Sequence, residues 1–165
     1  MNATKINSIK QFLSSSQEEK RMMFENGVGT DFIVDIKSQL ESKVYDTLKL
    51  SMQLVQKLKI NEAVPVIFKN IQVYNSIDPL GTGFDPVSLI IDLGSNNADV
   101  LLDCVASDPT DENIRIAAKI MFHWFIRESD KMKNILAERK PVNKKAEDAI
   151  LEYVQSELDT YNKSK

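Results

Sequence analysis

Cysteine is almost missing from this chain: Cys104 is the only one in 165 residues, so no internal disulfide can form. Free thiols are usual in reducing compartments, and a cytoplasmic or nuclear home is expected. Histidine is as scarce, with His123 alone. Glycine and proline number five each, most of them between residues 65 and 109. A sandwich of short strands needs turn formers spread along its whole length, so an all-β fold is not expected. No surplus of positive charge exists either, since 21 Lys and Arg face 24 Asp and Glu for a net charge of -3. General affinity for nucleic acid or anionic membranes depends on concentrated positive charge and is not expected. No stretch approaches the roughly 20 apolar residues that span a bilayer, and residues 1–10 are polar with no apolar signal-peptide core. Membrane insertion is therefore not expected.

What is present is ordinary globular material, 42% hydrophobic and 27% charged, at a length that buries a core without disulfides or metals. One domain spanning residues 1–165 is expected. The apolar residues recur at helical spacing. Ile6, Ile9, Phe12 and Leu13 share one helix face, ended by Ser14, Ser15 and Ser16. A short helix over residues 18–25 stops at Asn26 and Gly27. Thr30 or Asp31 can cap the next, whose buried stripe is Phe32, Ile33, Ile36 and Leu40.

A longer helix follows with two stripes, Val44, Leu48, Met52 and Val55 beside Leu50, Leu54 and Leu58. Residues 61–74 read as one helix, with Pro65 in its first turn. Residues 78–86 form the main loop, and two short apolar helices, 87–93 and 98–105, flank Gly94, Ser95, Asn96 and Asn97. Thr110 or Asp111 opens the strongest helix. Its two faces carry Ile114, Ala117, Ala118, Met121, Phe122 and Phe125, and Ile116, Ile120 and Trp124. A further turn runs through Met132, Ile135 and Leu136 to Pro141, and an amphipathic helix closes the chain. A helix apolar on two sides must meet two neighbours, which places the long helices inside a stack.

Short helix, turn, short helix, polar turn, long helix thus occurs twice, in residues 18–60 and 87–138, followed by a capping helix over 143–162. This order resembles the armadillo repeat, and residues 111–125 look like an armadillo third helix with Ala118 at the tight crossing. The resemblance implies an all-α, short right-handed superhelix of about seven to nine helices. The groove asparagines of peptide-binding members would fall near Leu54 and Trp124, so the resemblance implies an apolar and aromatic groove instead of an asparagine ladder. A second resemblance is to the N-terminal helical domain of transcription elongation factors. It rests on residues 24–29 and the helix ending near Lys57, covers residues 6–60, and implies binding to disordered motifs of nuclear proteins.

The chemistry-bearing residues are few. His123 has no nucleophile nearby in sequence, and Cys104 sits in an apolar run that would raise its thiol pKa. One Cys and one His cannot make a usual zinc site. Asp108, Asp111 and Glu112 lack the spacing of a calcium loop and read as helix caps. Gly27 with Gly29, and Gly81 with Gly83, read as turns, because neither pair completes a phosphate-binding loop. Paired carboxylates such as Asp103 with Asp108 or Asp111 offer a hydrolase reading, but no spacing singles them out. The basic runs Lys57–Lys59 and Arg139–Lys140 read as solvated helix ends.

No catalytic residue, metal or cofactor is expected. The expected role is a protein–protein interaction module, an adaptor that binds a peptide segment or helix along its long-helix surface, with self-association possible. Trp124 and Arg127, three residues apart, are the leading partner-binding candidates, against a reading in which Trp124 is buried in packing. His123 and Ile120 accompany them. Leu54, Gln53 and Lys57, with Tyr45 and Lys49, mark the equivalent face of the earlier long helix.

Overall fold

The computed structural model describes residues 6–164, so the polar start of the chain, residues 1–5, lies outside the described residues. The all-helical expectation holds: ten α-helices and two 3-10 turns form among the described residues, and no strand. The chain divides between Pro86 and Val87 into two compact units.

The first unit begins with α1 (Ile9–Ser14), capped by the Ser8 hydroxyl. The serines after it do more than end a helix. Ser16 opens α2 (Gln17–Asn26) through a reciprocal capping box: its hydroxyl accepts from the Glu19 amide, and the Glu19 carboxylate accepts from the Ser16 amide at 2.7 Å. That bond, first to the Ser16 amide and then to its hydroxyl, holds the Glu19 carboxyl below the usual carboxylate range. At α3 (Thr30–Gln39) the cap is Gly29, with no side-chain bond, so neither Thr30 nor Asp31 plays the capping part the sequence suggested. Asp35 on α3 instead accepts from the Ile9 amide at 2.7 Å and ties the start of α1 to it.

Helix α4 (Tyr45–Leu58) buries Leu48, Met52, Leu54 and Val55. Leu50 and Leu58 are half-buried, and Val44, expected in the stripe, is an exposed cap. The segment expected as one helix over residues 61–74 is a 3-10 turn (Asn61–Ala63) followed by α5 (Val64–Lys69) and α6 (Ile71–Ile77). The break is Asn70, at φ -104° and ψ 9°, whose side-chain amide donates to the Val66 carbonyl at 2.8 Å. Asparagine competes for backbone partners in this way, which is why it interrupts an otherwise continuous pattern. This division raises the helix count to ten, above the seven to nine expected. The Tyr74 hydroxyl on α6 donates to the Leu40 carbonyl at 2.6 Å, and burial first, then the charge of Glu41, pushes the phenol well above its ordinary value.

Asp78 organises the loop after α6. Its carboxylate accepts from the Gly83 amide at 2.7 Å and from the Phe84 and Thr82 amides and the Thr82 hydroxyl at 3.3 Å each. The Gly83 bond above all, against the opposing effect of burial, holds this carboxyl below the usual range. A carboxyl whose pKa is lowered by folding contributes stability above its unfolded value and loses that contribution as pH falls through the folded one. The thermal midpoint is thus expected to fall as pH drops below about 4. Asp78→Asn should flatten part of that decline; an unchanged acid slope in the variant would show that the loop does not depend on the charge.

The second unit opens within α7 (Pro86–Leu93), after its first residue, and continues through a 3-10 turn (Ser95–Asn97) and α8 (Ala98–Ser107). Helix α9 (Asp111–Glu138) is capped by the Thr110 hydroxyl and packs on α8, on the 3-10 turn and on α10 (Lys144–Lys163). Both of its apolar faces are used: Ile114, Ala117, Ala118, Ile120, Met121 and Trp124 are buried. The helix breaks stride at Glu128, which has non-helical φ -140° and ψ 48°. There the Glu128 carboxylate accepts from Lys131 at 2.7 Å and from the buried Ser95 hydroxyl at 2.6 Å, which together hold its pKa low.

In both units two short helices precede a long one, and the same backbone device joins the short pair. Gly27 stands at φ 80°, ψ 173° after α2, and Gly94 at φ 94°, ψ 166° after α7. That region of backbone space is open in practice only to glycine. A Cβ at either position would meet nothing within 4 Å, so an alanine there is penalised by backbone strain alone. Gly27→Ala and Gly94→Ala are each expected to lower unfolding free energy by about 1–3 kcal/mol, measured by chemical denaturation. Equal stability of either variant with the parent would refute the strain.

Candidate partner-binding groove

The first half of α9 and the second half of α10 line an open groove of about 460 Å³ in the second unit. Arg115, Ala118, Lys119, Phe122 and His123 line it from α9, and Tyr153 and Glu157 from α10. The spacing dictates the α9 wall: Arg115, Lys119 and His123 follow at four-residue intervals and so rise on one face. Ala118 is buried and small, which lets the groove dip between the helices. The Phe122 ring meets the edge of His123 at 5.5 Å and of Tyr161 at 6.0 Å between centroids. These contacts pin its orientation while leaving it half-exposed. Tyr153 is 44% exposed, a large ring presented to solvent.

The groove carries two cations and one acid, Arg115, Lys119 and Glu157. Arg115 and Lys119 form no ion pair among the described residues, although they face each other across one helical turn. Like charges at this spacing weaken a helix by about 0.2–0.5 kcal/mol. Elsewhere in the same unit Arg127, Lys131, Lys133, Arg139 and Lys144 each meet a carboxylate, while Lys140, Lys145 and Lys163 form no ion pair among the described residues.

Of the residues singled out in the sequence, three lie in the core. Trp124 is 1% exposed, and its indole N–H donates to the Ile91 carbonyl at 3.0 Å. Ile120 and Leu54 are buried as well. Trp124 and Arg127 do share a face, as their spacing requires, but it is the face turned to α7, where Arg127 lies 3.8 Å from the Asp92 carboxylate. At the surface remain His123, inside the groove, Arg127, and in the first unit Gln53 and Lys57. The Lys57 ammonium sits 4.8 Å from the centre of the Phe24 ring, a cation–π contact, and Lys49 lies over Tyr45 at 5.8 Å. The groove residues Arg115, Lys119, Phe122, Tyr153 and Glu157 were not picked out. The basic stripe on α9 was legible at i, i+4, i+8, but the two α10 residues depend on how α10 meets α9, which no local pattern encodes.

Arg139 corrects a second expectation. Instead of marking a solvated helix end, it stands just past α9 with an extended backbone, φ -74° and ψ 144°, and its side chain is only 6% exposed. It donates to Asp103 at 2.5 Å, Glu147 at 3.0 Å, and the Asp99 carboxylate and carbonyl at 3.2 Å each. Burial opposes its charge, yet the bonds to Asp103, Glu147 and Asp99 prevail and raise its pKa above the ordinary arginine value. Asp103, considered above as half of a carboxylate pair, is thus engaged by Arg139, and Asp108 accepts from the Asn113 side chain at 3.0 Å.

Cys104 is half-buried, and burial first, then the neighbouring Asp103 charge, pushes its thiol up. Among the described residues no group of three or more His, Cys, Asp and Glu side chains could hold a metal ion, and no helix is long and apolar enough to cross a membrane. Set against known proteins, the chain matches no family model, no curated protein and no solved structure.

Proposed function

We propose that this chain is a non-enzymatic protein-binding module of armadillo-like build, acting in the cytoplasm or nucleus, that receives a segment of a partner along the exposed edge of α9. The observation that carries the reading is the groove itself: half-exposed Phe122 and His123 and exposed Tyr153 stand around a buried alanine floor, with unpaired cations on one wall. Aromatic residues and arginine at a concave surface are the composition of binding hot spots. The armadillo-like build is supported by the repeated short, short, long helix order and by matching glycine geometry at Gly27 and Gly94.

The test is affinity capture from cell extract by the intact chain, followed by cross-linking to locate the contact. Retention of a protein whose cross-links map to α9 and α10 is the expected result. Capture of nothing above a control, or cross-links confined to the first unit, would end this reading. Sedimentation over a concentration range decides whether the captured protein is a second copy of the chain.

A further inference from the structure

Resting on that reading, we infer that the α9–α10 groove takes an acidic peptide segment carrying one bulky apolar side chain. The charge of the site points to this occupant. The charged lining residues Arg115, Lys119 and Glu157 sum to +1 on a chain whose net charge is -3. The groove is therefore a positive spot on an acidic protein, and its two cations repel each other one helical turn apart without forming an ion pair among the described residues, Glu157 being the acid in the lining. A carboxylate arriving between Arg115 and Lys119 removes that repulsion and adds charge-assisted bonds.

The apolar requirement comes from the other half of the lining. Phe122, Tyr153 and the buried Ala118 offer a surface that a hydrated carboxylate leaves uncovered and that a leucine or aromatic side chain fills. A phosphate backbone would satisfy only the cations, and the acidic character of the whole chain opposes a polyanion of any length. Glu157 works against an acidic ligand, which gives the proposal a signature of its own. Removing that carboxylate must strengthen binding, whereas damage to the fold could only weaken it.

The experiment selects 12-residue peptides from a random displayed library on the intact chain and measures the recovered peptides by fluorescence anisotropy. Expected are sequences with Asp or Glu beside Leu, Phe or Trp. Reversing both cations, Arg115→Glu with Lys119→Glu, should weaken binding about tenfold. Tyr153→Ala should weaken it by a similar factor, and Glu157→Gln should tighten it about two- to threefold. Circular dichroism and the thermal midpoint confirm that each surface variant is folded. Selection of basic peptides, equal affinity for a polyglutamate lacking an apolar residue, tighter binding of a single-stranded oligonucleotide, or weakening by Glu157→Gln would each overturn the assignment. If a captured partner still cross-links to α9 and α10 while the selected peptides are not acidic, the module stands and the occupant alone is wrong.

Discussion

Arg139→Leu is expected to destabilise the chain by about 3–5 kcal/mol, the usual consequence of removing one partner from a buried ion pair. Glu147 is itself only 9% exposed on its side chain, and without the guanidinium it would stay buried as an uncompensated charge close to Asp99 and Asp103. The three carboxylates come from α8 and α10, so Arg139 fastens the end of α9 to both neighbours. Arg139→Lys should recover only part of the loss, because one ammonium cannot reproduce a planar donor set reaching three acids. Asp99→Asn should cost less than about 1 kcal/mol, since that carboxylate is more than half exposed. Urea denaturation of the three variants measures the differences. An Arg139→Leu variant within about 1 kcal/mol of the parent would mean that the cluster adds no more than surface pairs do.

Trp124→Ala should cost about 3–5 kcal/mol, as large-to-small changes at buried aromatic positions do. Trp124→Phe keeps most of the apolar volume and removes one of two bonds to the Ile91 carbonyl, which still accepts from the Gly94 amide at 3.2 Å, for an expected loss of about 0.5–1.5 kcal/mol. Arg127, three residues on, is 55% exposed and 3.8 Å from its acid, so Arg127→Ala should stay within about 0.5 kcal/mol of the parent. Two neighbours on one helical face thus differ severalfold in their effect on stability. Thermal and chemical unfolding decide the matter: near-parental stability of Trp124→Ala would place the indole outside the core.

The α9 pattern shows where sequence reading succeeds. Two apolar faces on one helix demand two sets of neighbours: Ile114, Ala117, Ile120, Met121 and Trp124 are all buried, α9 packs on α8, α10 and the 3-10 turn, and Trp124 reaches Ile91 of α7. The same periodicity could not say whether Trp124 or Phe122 would stay in reach of solvent, because both lie at the margin of an apolar face. The register of α10 and the indole bond to Ile91 settle it. The pattern over residues 61–74 failed at Asn70, where a side-chain bond to Val66 won over uninterrupted apolar spacing. Arg139 next to Lys140 looked like any basic run, since the acids it binds lie 36 and 40 residues before it in α8 and 8 residues after it.

Taken by itself, the order of residues determined that this chain is helical, where most of its helices begin and end, and which residues supply its apolar faces. Those features arise from interactions within three or four positions: caps, side-chain spacing, and the backbone freedom of glycine. Only the tertiary structure decided that Trp124 belongs to the core, that Arg139 is buried among three carboxylates, and that Tyr153 joins Lys119 across a groove. Each of those outcomes depends on how two helices distant in sequence lie against each other, a choice made by packing the whole unit and written in no short stretch of it.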